Sequence, residues 1–443
     1  MLDVLFLSVW FSILIFSVFL FRFSKKSILS PSVISILFGF IVLFQYLGFP
    51  ILHFKLDDYR AEFVTDSTLT IWLFFVNSLT LLFLLIGYIF SSKSVSTKKK
   101  KKARLIKTSK RIPLETLLST IIIFFSSFSV FLVYVHSVGL SNLVISKVIA
   151  GSNIGVMNLA RSEMTNAFSG RYHWYKVFMN DLLFISSASL FLISKARPKF
   201  LFSCFSFFSI LVCIFSSFIT GEKAKIVDFF LVMLISATIS KRNPRFNIKS
   251  ILFSSILLIS VLSGSYAVFM GIGSFSSAIS SIVSRVLTGQ IQPGYHYLEF
   301  FPQVEDYLLG RSFPNPAGIF QFKPYNLTQE IMAWVNPMEE KLGITGSMPT
   351  FFWGELYANF GFLSIPIGAF LTGFYLQFLD MIISASNRFN PLTAAFSAWI
   401  MVHFKDLAMT GISAFIIDFY LVICCIIILG CRFLFKQIIL VKI

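Results

Sequence analysis

Charged side chains are scarce in this chain. Asp, Glu, Lys and Arg together make 13% of its 443 residues, about half the ~25% of an ordinary soluble domain. So little charge cannot clothe several water-soluble domains, which excludes a soluble multidomain protein. Acidic residues are the scarcest, 20 against 37 basic ones. Cysteine is nearly missing from polar regions. Cys204, Cys213, Cys424, Cys425 and Cys431 all fall within or at the edges of apolar runs, and no CxxC pair occurs. Neither a disulfide framework nor a thiolate metal site is implied. No acidic cluster in the polar connections has the pattern of a divalent-metal site, so no metal and no cofactor are expected. Internal repeats are missing too, which speaks against transporters built on inverted repeats. The first apolar run, 2–22, lacks the basic n-region and small-residue cleavage site of a signal peptide, and it reads as a membrane span.

What fills the chain instead is hydrocarbon. It carries 56 Phe, and its mean hydropathy is +0.82. A transmembrane helix needs roughly 20 mostly apolar residues. Segments of that kind lie at 2–22, 30–51, 68–90, 116–135, 174–194, 199–219, 224–240, 250–271, 351–379, 390–409 and 411–432. An all-α polytopic membrane protein is expected, with about 11 transmembrane helices in a single integral membrane domain, 1–443.

Lys and Arg in short connections resist translocation, so they orient the bundle. Alternate connections hold them: Arg22 and Lys26; Lys93, the Lys98–Lys102 run and Arg104 in the 91–113 connection; then Lys195 and Arg197; Lys241, Arg242 and Arg245; Arg388; and Arg432 with Lys436. The other connections are mixed or acidic. This predicts the N-terminus outside, the C-terminus inside, a basic cytoplasmic loop at 91–113 and a large external loop at 271–350 between spans 8 and 9. The net charge of +17 is then cytoplasmic and juxtamembrane, which excludes nucleic acid as the partner it points to.

Ionisable residues inside spans are costly and usually functional. Asp181, Asp228, Glu355, Lys405, Asp406 and Asp418 would all lie in the outer half of this bundle, as would the five histidines. The plainer alternative is that Asp181, Asp228 and Asp418 are paired internally as structural contacts. The external connections carry few cations: Lys147, Arg161 and Arg171 in one, Lys223 and Lys225 in the TGEKAK hairpin, and Arg285, Arg311, Lys323 and Lys341 in the long loop. A guanidinium fork suits pyrophosphate or carboxylate. Beside these cations stand Tyr172, His173, Trp174 and Tyr175, and Gln290, Gln292, Tyr295, His296 and Tyr297. Aromatic faces with flanking amides suit a sugar's apolar CH face and its rim of hydroxyls. Interfacial aromatic belts produce a similar composition. Glu355 and Asn359, four apart, would share a helix face at the outer end of the ninth span.

The chain resembles the bacterial oligosaccharide repeat-unit (O-antigen) polymerases of the Wzy type. The resemblance rests on TGEKAK between spans 6 and 7, on RVLTGQIQPGYHY opening the long loop, and most specifically on TGSMPTFFWGELYANFGFLS leading into span 9. In place of the Arg-x10-Gly pattern of some members, Arg161 to Gly170 and Arg285 to Gly294 have eight intervening residues. The resemblance implies a glycosyltransferase, multi-pass in a bacterial inner membrane. It would move a growing glycan from an undecaprenyl pyrophosphate carrier onto a new lipid-linked repeat unit, for an O-antigen or a capsule. Implied partners are undecaprenyl-pyrophosphate-linked oligosaccharides, membrane lipids and a chain-length regulator protein. On this reading Arg285 and Arg311, with Arg161 or Arg171, clamp the pyrophosphate and Lys223 assists. His296 and Glu355 are the candidate bases, and Tyr295 and Asn359 contact substrate. An O-antigen ligase shares the topology and the Arg/His logic, and a lipid-linked oligosaccharide flippase is the alternative from another class.

Overall fold

The computed structural model describes residues 2–24, 26–96, 112–151, 160, 163–164, 172–219, 222–270, 275–338, 346–416 and 418–441. Every regular element among these residues is a helix. Eight of the helices are long and apolar enough to cross a membrane: Asp3–Phe23, Val33–His53, Ser67–Ser92, Leu114–Val138, Tyr172–Ala196, Phe200–Ile219, Ser364–Ala385 and Ser413–Ile439. Large apolar side chains stand outward along them, Phe200 being 86% and Ile426 65% exposed. In water such a surface would aggregate; in hydrocarbon it is the expected exterior. The chain is an all-α, multi-pass membrane protein.

Three expected spans are not among these eight. The 224–240 segment folds as the 17-residue helix Lys223–Ile239 and 250–271 lies within the 23-residue helix Ile248–Met270, while 390–409 is cut to the 14-residue helix Pro391–Phe404 and a 3-10 turn, Lys405–Ala408. The expected span 351–379 is interrupted. It comprises a helix Trp353–Phe360 and a second, Ser364–Ala385, broken at Gly361, whose φ of +72° lies in the region that glycine enters without a Cβ clash. The polar 271–350 stretch is more than an excursion. It forms the helices Phe275–Leu287, Gln292–Phe300 and Leu327–Val335, and Tyr295, Tyr297 and Phe301 within it are core residues.

The chain divides into two compact units. One comprises Met1–Arg104, Ser280–Ser384 and Phe404–Ile417, the other Leu105–Ile279, Ala385–His403 and Asp418–Ile443.

In the first unit, helix ends and helix crossings are set by a few buried groups. Ser32 and Ser35 form a reciprocal capping box at the start of the helix Val33–Gln45. The same helix start is closed by a carboxylate from far along the chain. Asp380 accepts from the Val33 amide at 2.8 Å through Oδ1 and from the Tyr88 hydroxyl at 2.8 Å through Oδ2. Asp380, 2% exposed, is thus a buried cap. The helices Ser67–Ser96 and Ser364–Ala385 approach backbone to backbone. A Cβ on Gly87 would strike the Phe370 carbonyl, and one on Gly373 the Leu84 carbonyl. Close approach at small residues is how membrane helices gain van der Waals contact when lipid is as apolar as leucine. A polar chain then ties these helices to the site. Gln45 Nε2 donates to the Gln290 and Ala408 carbonyls, Asn77 Nδ2 donates to the Gln45 carbonyl, and Trp353 Nε1 donates to Asn77 Oδ1.

The second unit is built on aromatic packing with serine and threonine between helices. Phe124, Phe131, Tyr134, Phe184 and Phe229 form its core. Thr120 pairs with Ser189 at 2.9 Å, Ser187 pairs with Ser209 at 3.0 Å, and Ser216 donates to the Met179 carbonyl. These small hydroxyls explain part of the serine content, since each lets helices approach while satisfying itself.

Gly373→Ala should destabilise the protein in detergent by about 1–3 kcal/mol, because backbone atoms and not a flexible side chain oppose the new methyl. Gly39→Ala, where nothing lies within 4 Å, should leave the thermal unfolding midpoint unchanged or raised. Equal midpoints for the two variants would show that the Gly87–Gly373 crossing does not hold the unit together.

Candidate active site

The site grows from the eight-residue helix Trp353–Phe360 in the first unit. Trp353 and Ala358 anchor its apolar side in the core, both 0% exposed. That leaves Glu355 and Asn359, one turn apart, on a common face, as their spacing predicts.

Both are buried, and their polar atoms are tied to two distant segments. Ser312 donates through Oγ to Glu355 Oε1 at 2.9 Å, and the Ser413 amide donates to Oε2 at 2.8 Å. Asn359 Nδ2 donates to Ser312 Oγ and to the Glu355 carbonyl, both at 2.7 Å, while its Oδ1 accepts from the Gly310 amide at 2.8 Å. Asn359 thus fixes Ser312, which fixes the carboxylate. Asn359 is not among the described residues lining the neighbouring cavity. Gly411 completes the seat, because a Cβ there would collide with the Glu355 carboxylate.

Beside Glu355 lies a cavity of about 350 Å³. Tyr297, Ser312, Tyr325, Thr328, Thr350 and Ser413 are among the residues that line it. Burial pushes the Glu355 carboxyl above the usual carboxylate range, and the hydrogen bonds from Ser413 and Ser312 offset only part of that. Tyr297 donates to the Met348 carbonyl at 3.2 Å, and burial raises its phenol as well. The Tyr325 phenol is pushed up to about 12, first by burial and then by Glu305. The result is a proton acceptor set among hydroxyls and an aromatic face.

Arg311 sits just behind this wall. Its guanidinium lies over the Tyr325 ring, 5.6 Å from the centroid, and Nη2 donates to Glu305 Oε1 at 3.1 Å. It remains about 38% exposed. Arg285 is exposed in the last turn of the helix Phe275–Leu287.

The other expected base is placed differently. His296 is 3% exposed, between Gln292 at 3.2 Å from Nε2 and Glu299 at 3.3 Å from Nδ1, and it is not in the cavity lining. Burial holds its pKa below the ordinary value, with Glu299 opposing. Tyr295 is 1% exposed, and its hydroxyl accepts from the Asp66 amide at 3.0 Å, so it serves the core. Arg161 and Arg171 lie outside the described residues, as does the side chain of Lys223.

Several contributors had no sequence signal as site residues. Ser312, Tyr325, Thr350, Gly411 and Ser413 come from connections far apart in the chain. The Thr410–Gly411 step at the junction of the apolar runs 390–409 and 411–432 is the one visible hint.

The second unit holds a separate polar cluster inside its spans. A π-helical turn, Val177–Leu182, carries Asp181, which accepts from Trp399 Nε1 at 3.0 Å. His403 Nε2 lies 2.7 Å from Asp418 Oδ2, and Trp399 stacks on His403 at 4.9 Å. Lys225 and Asp228 pair at 3.6 Å. These three acids are therefore internally paired, the plainer of the two readings of them. Lys405 and Asp406, in the first unit, pair with each other at 2.5 Å.

No family model, no curated protein and no solved structure matches this chain.

Gly411→Ala should displace the Glu355 carboxylate while leaving Asn359 in place. The expected result is folded protein in normal amount in which the Ser413 amide, no longer held by Glu355, exchanges its hydrogen faster. Unchanged protection of that amide would mean that the room left by Gly411 does not set the carboxylate position.

Proposed function

We propose that the chain is an oligosaccharide repeat-unit polymerase, transferring a glycan from an undecaprenyl pyrophosphate carrier onto the end of a second lipid-linked unit. The reaction would occur on the external face of a bacterial inner membrane. One observation carries this reading. A buried carboxylate with a raised pKa is held rigidly in a small cavity walled by hydroxyl, amide and tyrosine side chains. That is the equipment for binding a sugar and taking a proton from it. The alternating basic connections and the sequence resemblance give it a membrane side and a carrier.

Glu355 acts as general base. An acceptor hydroxyl in the cavity gives its proton to the carboxylate as its oxygen attacks the donor's anomeric carbon. The bond from that carbon to the pyrophosphate oxygen breaks, and its electron pair leaves with the lipid pyrophosphate. Pyrophosphate is a good leaving group that needs no proton, so the remaining demand is charge stabilisation. Arg311 meets that demand behind Tyr325, exchanging Glu305 for the leaving phosphate, and exposed Arg285 contributes to holding the carrier. His296, enclosed by Gln292 and Glu299, is a supporting residue in this scheme.

The test is deletion in a strain that makes a surface glycan, with lipid-linked and surface glycans resolved on a gel. Single repeat units without a ladder are expected. Long chains retained on the carrier would identify a ligase instead, and loss of external repeat units a flippase.

Replacing Glu355 by Gln keeps the shape and removes the base, so the ladder should disappear while the protein stays in the membrane. Arg311→Ala should shorten or abolish the ladder likewise. In a reconstituted assay the pH profile adds a signature. The base works only when deprotonated, and burial raises its pKa. Transfer should therefore fall as pH drops through a midpoint above the ordinary carboxylate range of about 4. A midpoint at or below that range would remove Glu355 from the role.

A further inference from the structure

The cavity around Glu355 also specifies which part of a substrate it takes, an inference that rests on the polymerase reading above. Among the described residues that line it there is no Lys, Arg or His, and the one carboxylate is Glu355. That carboxylate already receives hydrogen bonds at both oxygens, from Ser312 and from the Ser413 amide, and the residue is 5% exposed. A second negative charge in this space would meet Glu355 with no cation among these residues to offset it. The rest of the lining offers what a neutral sugar needs. Thr328 and Thr410 supply hydroxyls, Asn326 and Gln329 supply amides, and Tyr325 supplies an aromatic edge.

Size narrows the choice further. At about 350 Å³ the cavity lies near the lower end of the ~300–1,000 Å³ range of small-molecule sites. It suits a terminal sugar residue and excludes a polyprenyl chain. The guanidinium of Arg311 lies outside the lining, across the Tyr325 ring. The anionic and neutral ends of the two substrates are thereby sorted.

We propose that this cavity is an acceptor subsite selective for an uncharged, hydroxyl-rich terminal sugar, and that the donor's pyrophosphate stays outside it on the Arg311 side of Tyr325. An acceptor repeat unit ending in a uronic acid is excluded by the same wall.

The test uses the full chain, purified in detergent, with saturation-transfer NMR against free methyl glycosides. The probes are methyl galactoside and methyl N-acetylglucosaminide as neutral sugars, and methyl glucuronide and methyl galacturonide as anionic ones. At least one neutral glycoside should give transfer that Thr410→Trp, which fills the cavity, abolishes. Both uronides should give signals about tenfold weaker or less. Glu355→Gln should retain the neutral signal and raise the uronide signal toward it, since the variant removes charge without changing shape. Size-exclusion profiles matching the native chain establish that both variants are folded. Uronides binding the native chain as well as the neutral sugars, or no glycoside signal sensitive to Thr410→Trp, would overturn the inference.

These outcomes separate from those of the polymerase reading. A chain that binds neutral glycosides but whose deletion leaves the ladder intact keeps this subsite and loses the polymerase role. A chain required for the ladder whose cavity admits uronides equally keeps the role and loses the selectivity.

Discussion

The hydrogen bonds between the Glu355 carboxylate, Ser312 and the Ser413 amide are where the fold and the chemistry of this protein meet. A chain at membrane depth must satisfy every backbone group internally, and irregular backbone survives there only where protein buries it. Between the helix Pro391–Phe404 and the short helix Ser413–Ile416 the chain makes a 3-10 turn, Lys405–Ala408, and then runs irregularly to 412. Glu355 supplies the acceptor that the Ser413 amide needs, the Leu407 carbonyl accepts from the Phe352 amide, and the Ala408 carbonyl accepts from Gln45. The helix Trp353–Phe360, which ends at Gly361, presents Glu355 to that stretch.

The same arrangement tunes the carboxylate. Burial raises its pKa, while the hydrogen bonds from Ser413 and Ser312 oppose that rise. Asn359 contributes by holding Ser312, and Gly411 by leaving room. Support of this kind fixes the carboxylate at the edge of a cavity, where a glutamate merely trapped in a core would not be. Asp380 offers the contrast within the same unit. Its oxygens are engaged by the Val33 amide and the Tyr88 hydroxyl, and it is not among the described residues lining the cavity beside Glu355.

Much of the architecture was legible in the sequence because hydrophobic length is a direct physical requirement. The Phe-rich runs mark the membrane helices, and the alternating Lys and Arg groups suggest their orientation. The i, i+4 spacing of Glu355 and Asn359 correctly put them on one face. Local spacing could not say what each would do there. Asn359 turned out to hold Ser312, and Tyr295 gave its hydroxyl to the Asp66 amide. His296, prominent in the YHY run, is enclosed by Gln292 and Glu299 and does not line the cavity.

The sequence by itself determined that this chain lives in a bilayer as a bundle of helices, since apolar stretches of that length have no other stable home. It also determined where the chain is rich in groups suited to sugars and phosphates. Tertiary structure alone decided which of those groups form a site. Ser312, Glu355 and the Gly411–Ser413 segment are far apart in the chain, and contacts between such positions leave no trace in local periodicity. Burial, the property that lifts Glu355 out of the ordinary carboxylate range, belongs to the assembled unit and to no segment of it.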